Sequence, residues 1–143
     1  MKTRLACLAA LLALGSAAHS ATPVYLTVDH STEAVLDHAS AQAIWKESLS
    51  DKLTKLAKLY PTKRWGFVSE VEGGFNASKT CVITARAMML PVTVSGKSML
   101  FKPNKTATTF DALPNATKEQ CTDLAKTKLK EAVQGVLSSL IAS

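Results

Sequence analysis

Apolar and polar positions along the chain change their period twice. From about Thr32 or Asp37 to Tyr60, the apolar residues Trp45, Leu49, Leu53, Leu56 and Tyr60 recur at helical steps. Lys46, Glu47, Asp51, Lys52, Lys55 and Lys58 take the other faces. Pro61 ends this amphipathic helix, and the lysines in its last turns suit the negative end of its dipole. In the middle third the period falls to two. Trp65, Phe67, Ser69 and Val71 alternate with Gly66, Val68, Glu70 and Glu72, and Gly73-Gly74 reads as a hairpin turn. Thr80 to Leu90 is a second extended run, Ser98 to Phe101 a third, and Thr106 to Phe110 a fourth. Pro91, Ser95-Gly96 and Pro103-Asn104 punctuate them. After Leu113-Pro114, Thr117 with Gln120 forms a capping box, and Cys121, Ala125, Leu129, Val133, Val136, Leu137 and Leu140 form one helical stripe. Ahead of all this, Pro23 to Val28 alternates like a short strand or extended arm.

The expected architecture is therefore α+β: an N-terminal helix, an antiparallel four-stranded meander and a C-terminal helix. Both helices are expected to pack on one sheet face.

The first residues alter the picture of where this domain works. Lys2 and Arg4, the apolar run Leu5 to Leu14, and the small residues Gly15 to Ala18 follow the order of a cleavable secretory signal. The apolar run is about half the ~20 residues needed to cross a bilayer core. Residues 1–20 are read as a signal peptide cut near Ala21, and residues 21–143 as one periplasmic domain without stable membrane insertion. Of the 17 Lys and Arg, Lys2 and Arg4 belong to the signal; the remainder against 11 Asp and Glu leave a mature charge of +4. That is modest for a nucleic-acid binder, and no nucleic-acid partner is expected. Lys52, Lys55, Lys58, Lys63, Arg64, Lys97, Lys102 and Lys105 are read first as solvated surface. Cys81 and Cys121, meeting an oxidising compartment as an even pair too far apart for a redox C-x-x-C, are expected to form a disulfide.

Candidate chemistry is sparse. His30 and His38 follow Asp29 and Asp37, with Glu33 between, so a metal or acid/base cluster is conceivable on one helix face. No H-E-x-x-H, cysteine ligand or Gly-rich loop accompanies it. Carboxylates at a helix start are accounted for by its positive end, and neither metal nor cofactor is expected. No G-x-S-x-G or S-x-x-K occurs, so a catalytic role is not expected either. Asn76, Asn104 and Asn115 head N-x-S/T sequons, inert in the bacterial setting that the signal and composition suggest.

Large apolar groups on adjoining extended runs are the sharper feature. Met88, Met89, Met99, Leu100 and Phe101, with Lys97 and Lys102 beside them, are the expected partner-binding residues. The expectation is a small exported protein that docks a protein partner, most plausibly as an inhibitor or immunity protein against a toxin or envelope hydrolase. The alternative is an envelope carrier or assembly factor for lipid, peptide or a small hydrophobic molecule.

Overall fold

The computed structural model describes residues 22–93, 95, 97–100 and 102–141. Residues 1–20, read above as a signal peptide, and Phe101 lie outside them. In chain order the elements are β1 (Leu26–Asp29), α1 (His38–Leu49), α2 (Leu53–Leu59), β2 (Trp65–Phe75), β3 (Thr80–Pro91), β4 (Lys105–Pro114) and α3 (Lys118–Ile141). This is an α+β fold with one four-stranded sheet in the order β1-β2-β3-β4.

The sheet is mixed, which corrects the expected antiparallel meander. β2, β3 and β4 are antiparallel neighbours, but the fourth strand is β1, paired parallel to β2 with Val28 opposite Val68. Parallel pairing requires a crossover, and α1 and α2 supply it. Of the expected strand Ser98 to Phe101, the described residues Ser98 to Leu100 form none. Only Met99 bridges back to Val92, while Leu100 N–H donates to Pro91 O at 2.8 Å. The N–H groups of this connection are spent locally instead, Thr93 N–H donating to Ser98 O at 2.7 Å.

Two further boundaries differ from the sequence reading. The long helix is broken between Leu49 and Leu53, where Ser50-Asp51, weak helix formers, reset the path. Gly73-Gly74 is not the hairpin turn: both glycines lie inside β2 at φ of 138° and 141°. A Cβ at Gly73 would stand 1.9 Å from Val82 O, so the glycine permits close approach of β3 instead of a reversal. The reversal comes at Asn76–Lys79, where the Asn76 side chain accepts from Ser78 and Thr80 N–H and Lys79 adopts a left-handed φ of 57°.

Alternation along the strands sorts residues into two faces. On the odd-numbered face, Phe67, Ser69, Val71, Cys81, Ile83, Ala85, Ala87 and Met89 are all fully buried. The helix contacts fall here. Trp45 of α1 stacks on Phe67 at 4.9 Å, Tyr25 meets the same ring edge-on, and Thr109 Oγ1 donates to Lys128 O of α3. Ala85 and Ala87 keep the middle of β3 low. Gly135, whose Cβ would lie 3.1 Å from Ala107 Cβ, lets α3 lie close to β4. Cys81 is disulfide-bonded to Cys121, Cα to Cα 5.7 Å, which fastens the start of α3 to β3. The α3 capping box forms as expected: Thr117 N–H donates to Gln120 Oε1 at 2.8 Å, and Gln120 N–H to Thr117 Oγ1 at 3.2 Å.

Candidate functional site

The residues expected to form one binding surface are divided by the strand alternation. Met89 is fully buried in the main core, whereas Met88 points to the even-numbered face, where it is buried with Val68 and Leu90 beneath Met99. Leu100 is 55% exposed, and Lys97 and Lys102 are also exposed on the connection between β3 and β4. The six described residues of this set do not form a single apolar patch, and Phe101 lies outside the described residues.

A more continuous apolar feature lies at the opposite edge of the sheet. Residues 22–25 run into β1 and, with α1 and the start of α2, enclose an open cleft of about 610 Å³. Pro23, Val24 and Tyr25 form one wall; Ala43, Trp45, Leu49 and Leu53 form the other. Val24 is 78% exposed, whereas Tyr25 and Trp45 are buried and anchored against Phe67. Burial pushes the Tyr25 hydroxyl up to about 12, so it stays protonated and donates to Tyr60 O at 2.6 Å. The Trp45 indole N–H is buried without a hydrogen-bond partner among the described residues.

The cleft borders a free strand edge, because β1 is terminal in the sheet. His30 N–H donates to Ser69 O at 2.8 Å, which turns the even-numbered backbone groups of this segment toward β2. The odd-numbered groups, those of Tyr25 and Thr27 among them, therefore face away from β2. Gln42 guards this edge: its amide donates to Thr27 O at 3.3 Å and accepts from Thr27 Oγ1 at 2.7 Å. Edge strands left fully open invite unwanted pairing, and a side-chain guard is one way of blunting them.

The histidine cluster is divided too. Asp37 caps α1, accepting from Ser40 N–H at 2.8 Å and Ser40 Oγ at 2.7 Å, and these bonds hold its carboxyl below the usual range. His38 bonds through Nδ1 to Asp29 Oδ2 at 2.6 Å, while its Nε2 stands 3.5 Å from Glu33 Oε2. The bond to Asp29 chiefly raises the His38 pKa. The Asp29 side chain is only 2% exposed and also accepts from Ser31 N–H, Ser31 Oγ and Ser69 Oγ. This clasp ties the end of β1 and the start of α1 to β2. Both histidine nitrogens face carboxylates, and both serine hydroxyls point at Asp29, so no serine sits against a free base here. His30 belongs elsewhere, to a small pocket on the even-numbered face. Among the described residues, no group of three or more His, Cys, Asp or Glu is placed to hold a metal ion. No helix among them is long and apolar enough to cross a membrane.

Sequence reasoning missed the cleft because Trp45, Leu49 and Leu53 belong to the stripe read as core. The available signal was Pro23-Val24, an apolar pair placed just before a short strand. Ser69 carried no signal as a partner for Asp29, 40 residues away.

No family model matches the chain, and no curated protein matches it. Among solved structures, a point variant of the PelC dodecamer from Paraburkholderia phytofirmans is 12% identical with a TM-score of 0.44, covering 81% of this chain and 90% of that one. The PelC dodecamer from the same organism in another crystal form is 10% identical with a TM-score of 0.44, covering 81% and 89%.

Proposed function

We propose that this protein is an exported binding module that docks a protein partner through the β1 edge, accepting an extended segment of that partner along the cleft. The observation that carries this reading is the coincidence of a strand edge held by one displaceable side chain, Gln42, with an apolar trough. An added strand draws affinity from main-chain hydrogen bonds and specificity from pockets for alternate side chains. Gln42 occupies the place that an incoming backbone N–H would take at Thr27 O. Val24, Ala43, Leu49 and Leu53 supply the apolar walls. Inhibition of a toxin or envelope hydrolase is the role most in keeping with such a module, since occupying a strand or a loop of an enzyme needs no chemistry of its own. The paired serines and histidine of the clasp, committed to Asp29 and Glu33, favour a non-catalytic role. The disulfide suits an exported protein. A second reading, carriage of a small hydrophobic molecule, is favoured by the volume of the cleft, which falls within the usual range of ligand sites.

Ala43 and Val24 are exposed, so Ala43→Glu and Val24→Glu test the cleft without burdening the fold. Partner captured from an envelope extract should bind each variant at least about tenfold more weakly, a loss of ~1.4 kcal/mol. Unchanged capture by both variants would overturn the cleft as the docking site.

A further inference from the structure

The even-numbered face holds a second, independent feature. The connection between β3 and β4 folds back so that Met99 lies over Gly66. A Cβ there would stand 2.6 Å from Met99 Cε and 2.8 Å from Leu26 O, so the missing side chain makes room for the methionine methyl. Met99 closes over Val68, Met88 and Leu90 and leaves a pocket of about 160 Å³. His30 and Glu70 complete its lining. The placement follows from register. His30 succeeds β1, where Asp29 pairs with Ser69, and its N–H is held by Ser69 O at 2.8 Å. Met88 pairs with Val68 across β2 and β3.

Three elements distant in sequence thus bring two thioethers and one imidazole to a single apolar pocket. The volume is below that of ordinary organic-ligand sites yet ample for an ion with a water. Thioether sulfur is a poor ligand for hard cations, which require oxygen, and selects the soft monovalent ion Cu(I). Val68 and Leu90, both buried, give the ion an apolar floor, while exposed His30 lies at its solvent side. Glu70, which also lines the pocket, is paired with Arg86 Nη1 at 3.4 Å.

We infer that His30, Met88 and Met99 form a Cu(I) site. It is separate from the docking cleft, and neither proposal depends on the other. Silver(I) is a redox-inert probe of the same softness. The test is anaerobic titration of the purified protein with Ag(I), and with Cu(I) against a chromogenic Cu(I) chelator, while the methionine methyl resonances are followed by NMR. One equivalent should bind and shift the methyls of Met88 and Met99, leaving that of Met89, on the opposite face, unmoved. Met88→Leu and Met99→Leu keep the apolar filling and remove the donors. Each of them, and His30→Gln, should weaken binding by about tenfold or more. Absence of binding in competition with the chelator, shifts confined to other residues, or undiminished affinity in the Met88→Leu/Met99→Leu double variant would overturn the assignment. The wild-type methyl shifts decide the matter even if a variant folds poorly.

Discussion

Met88 and Met89 are neighbours in the chain and differ in almost everything else. Met89 faces α1 and α3 in a core where every odd-numbered position of β2 from Phe67 to Val71, and of β3 from Cys81 to Met89, is fully buried. Met88 faces a smaller cluster, Val68 and Leu90 under Met99, beyond which the same face carries Glu70, the exposed Arg86 and Phe110 at 64% exposure. One face is closed by two helices and a disulfide. The other is closed at one end only, by a connection that makes a single bridge. Two layers of one sheet therefore serve different ends: the odd-numbered face supplies stability, and the even-numbered face is left to surface chemistry.

The sharpest way to break this comparison is to place a carboxylate on each side. Met89→Asp buries a charge with no counter-charge and should cost more than about 4 kcal/mol, enough to unfold a domain of this size. Met88→Asp should cost about 1–3 kcal/mol, because the Met99 segment can part and admit water. Urea denaturation measures both, and equal losses would mean that the two faces are equally closed.

Fastening of the odd-numbered face comes next. Replacing Cys81 and Cys121 together by Ser releases a loop spanning 40 residues and should destabilise by up to about 4 kcal/mol in the chain-entropy account. Amide hydrogen exchange should then accelerate first at the start of α3. Acceleration spread evenly over both ends of α3 would show that the bond acts on the whole chain instead of pinning this end.

The smallest effect concerns the clasp at the end of β1. The His38 pKa is raised, chiefly by its bond to Asp29 and further by the charges of Asp29, Glu33 and Asp37. A raised pKa contributes stability that is complete below the unfolded value near 6.5 and is lost as pH rises through the folded value. His38→Gln should therefore lower the melting temperature near pH 5.5 and have little effect well above the folded pKa. A pH-independent difference between variant and wild type would assign the clasp to packing instead of charge.

Much of this fold was legible because its signals are local. The α3 stripe, the Thr117-Gln120 capping box, the Asp37 cap and the alternation of β2 and β3 all depend on residues within a few positions of one another. The pairing of two cysteines 40 residues apart was legible for another reason: beyond residues 1–20, read as a signal, each has only one intramolecular partner. The cleft beside β1, the proposed docking surface, was not legible. Alternation states that Met88 and Met89 face opposite ways but not which way the helices lie, and an exposed apolar stripe shoulder reads the same as core.

What the sequence by itself determined is the period of each segment, since helical or extended spacing is written in the side chains. Tertiary structure alone decided that β1 runs parallel to β2, that Ser98 to Leu100 fold over a face instead of joining the sheet, and that Gly73-Gly74 lie within a strand. Each of these depends on which distant backbone supplies the hydrogen bonds. That choice is made by the free energy of the whole packed arrangement, in which Trp45 on Phe67, α3 on Ala85 and Ala87, and Ser69 beneath Asp29 are satisfied together.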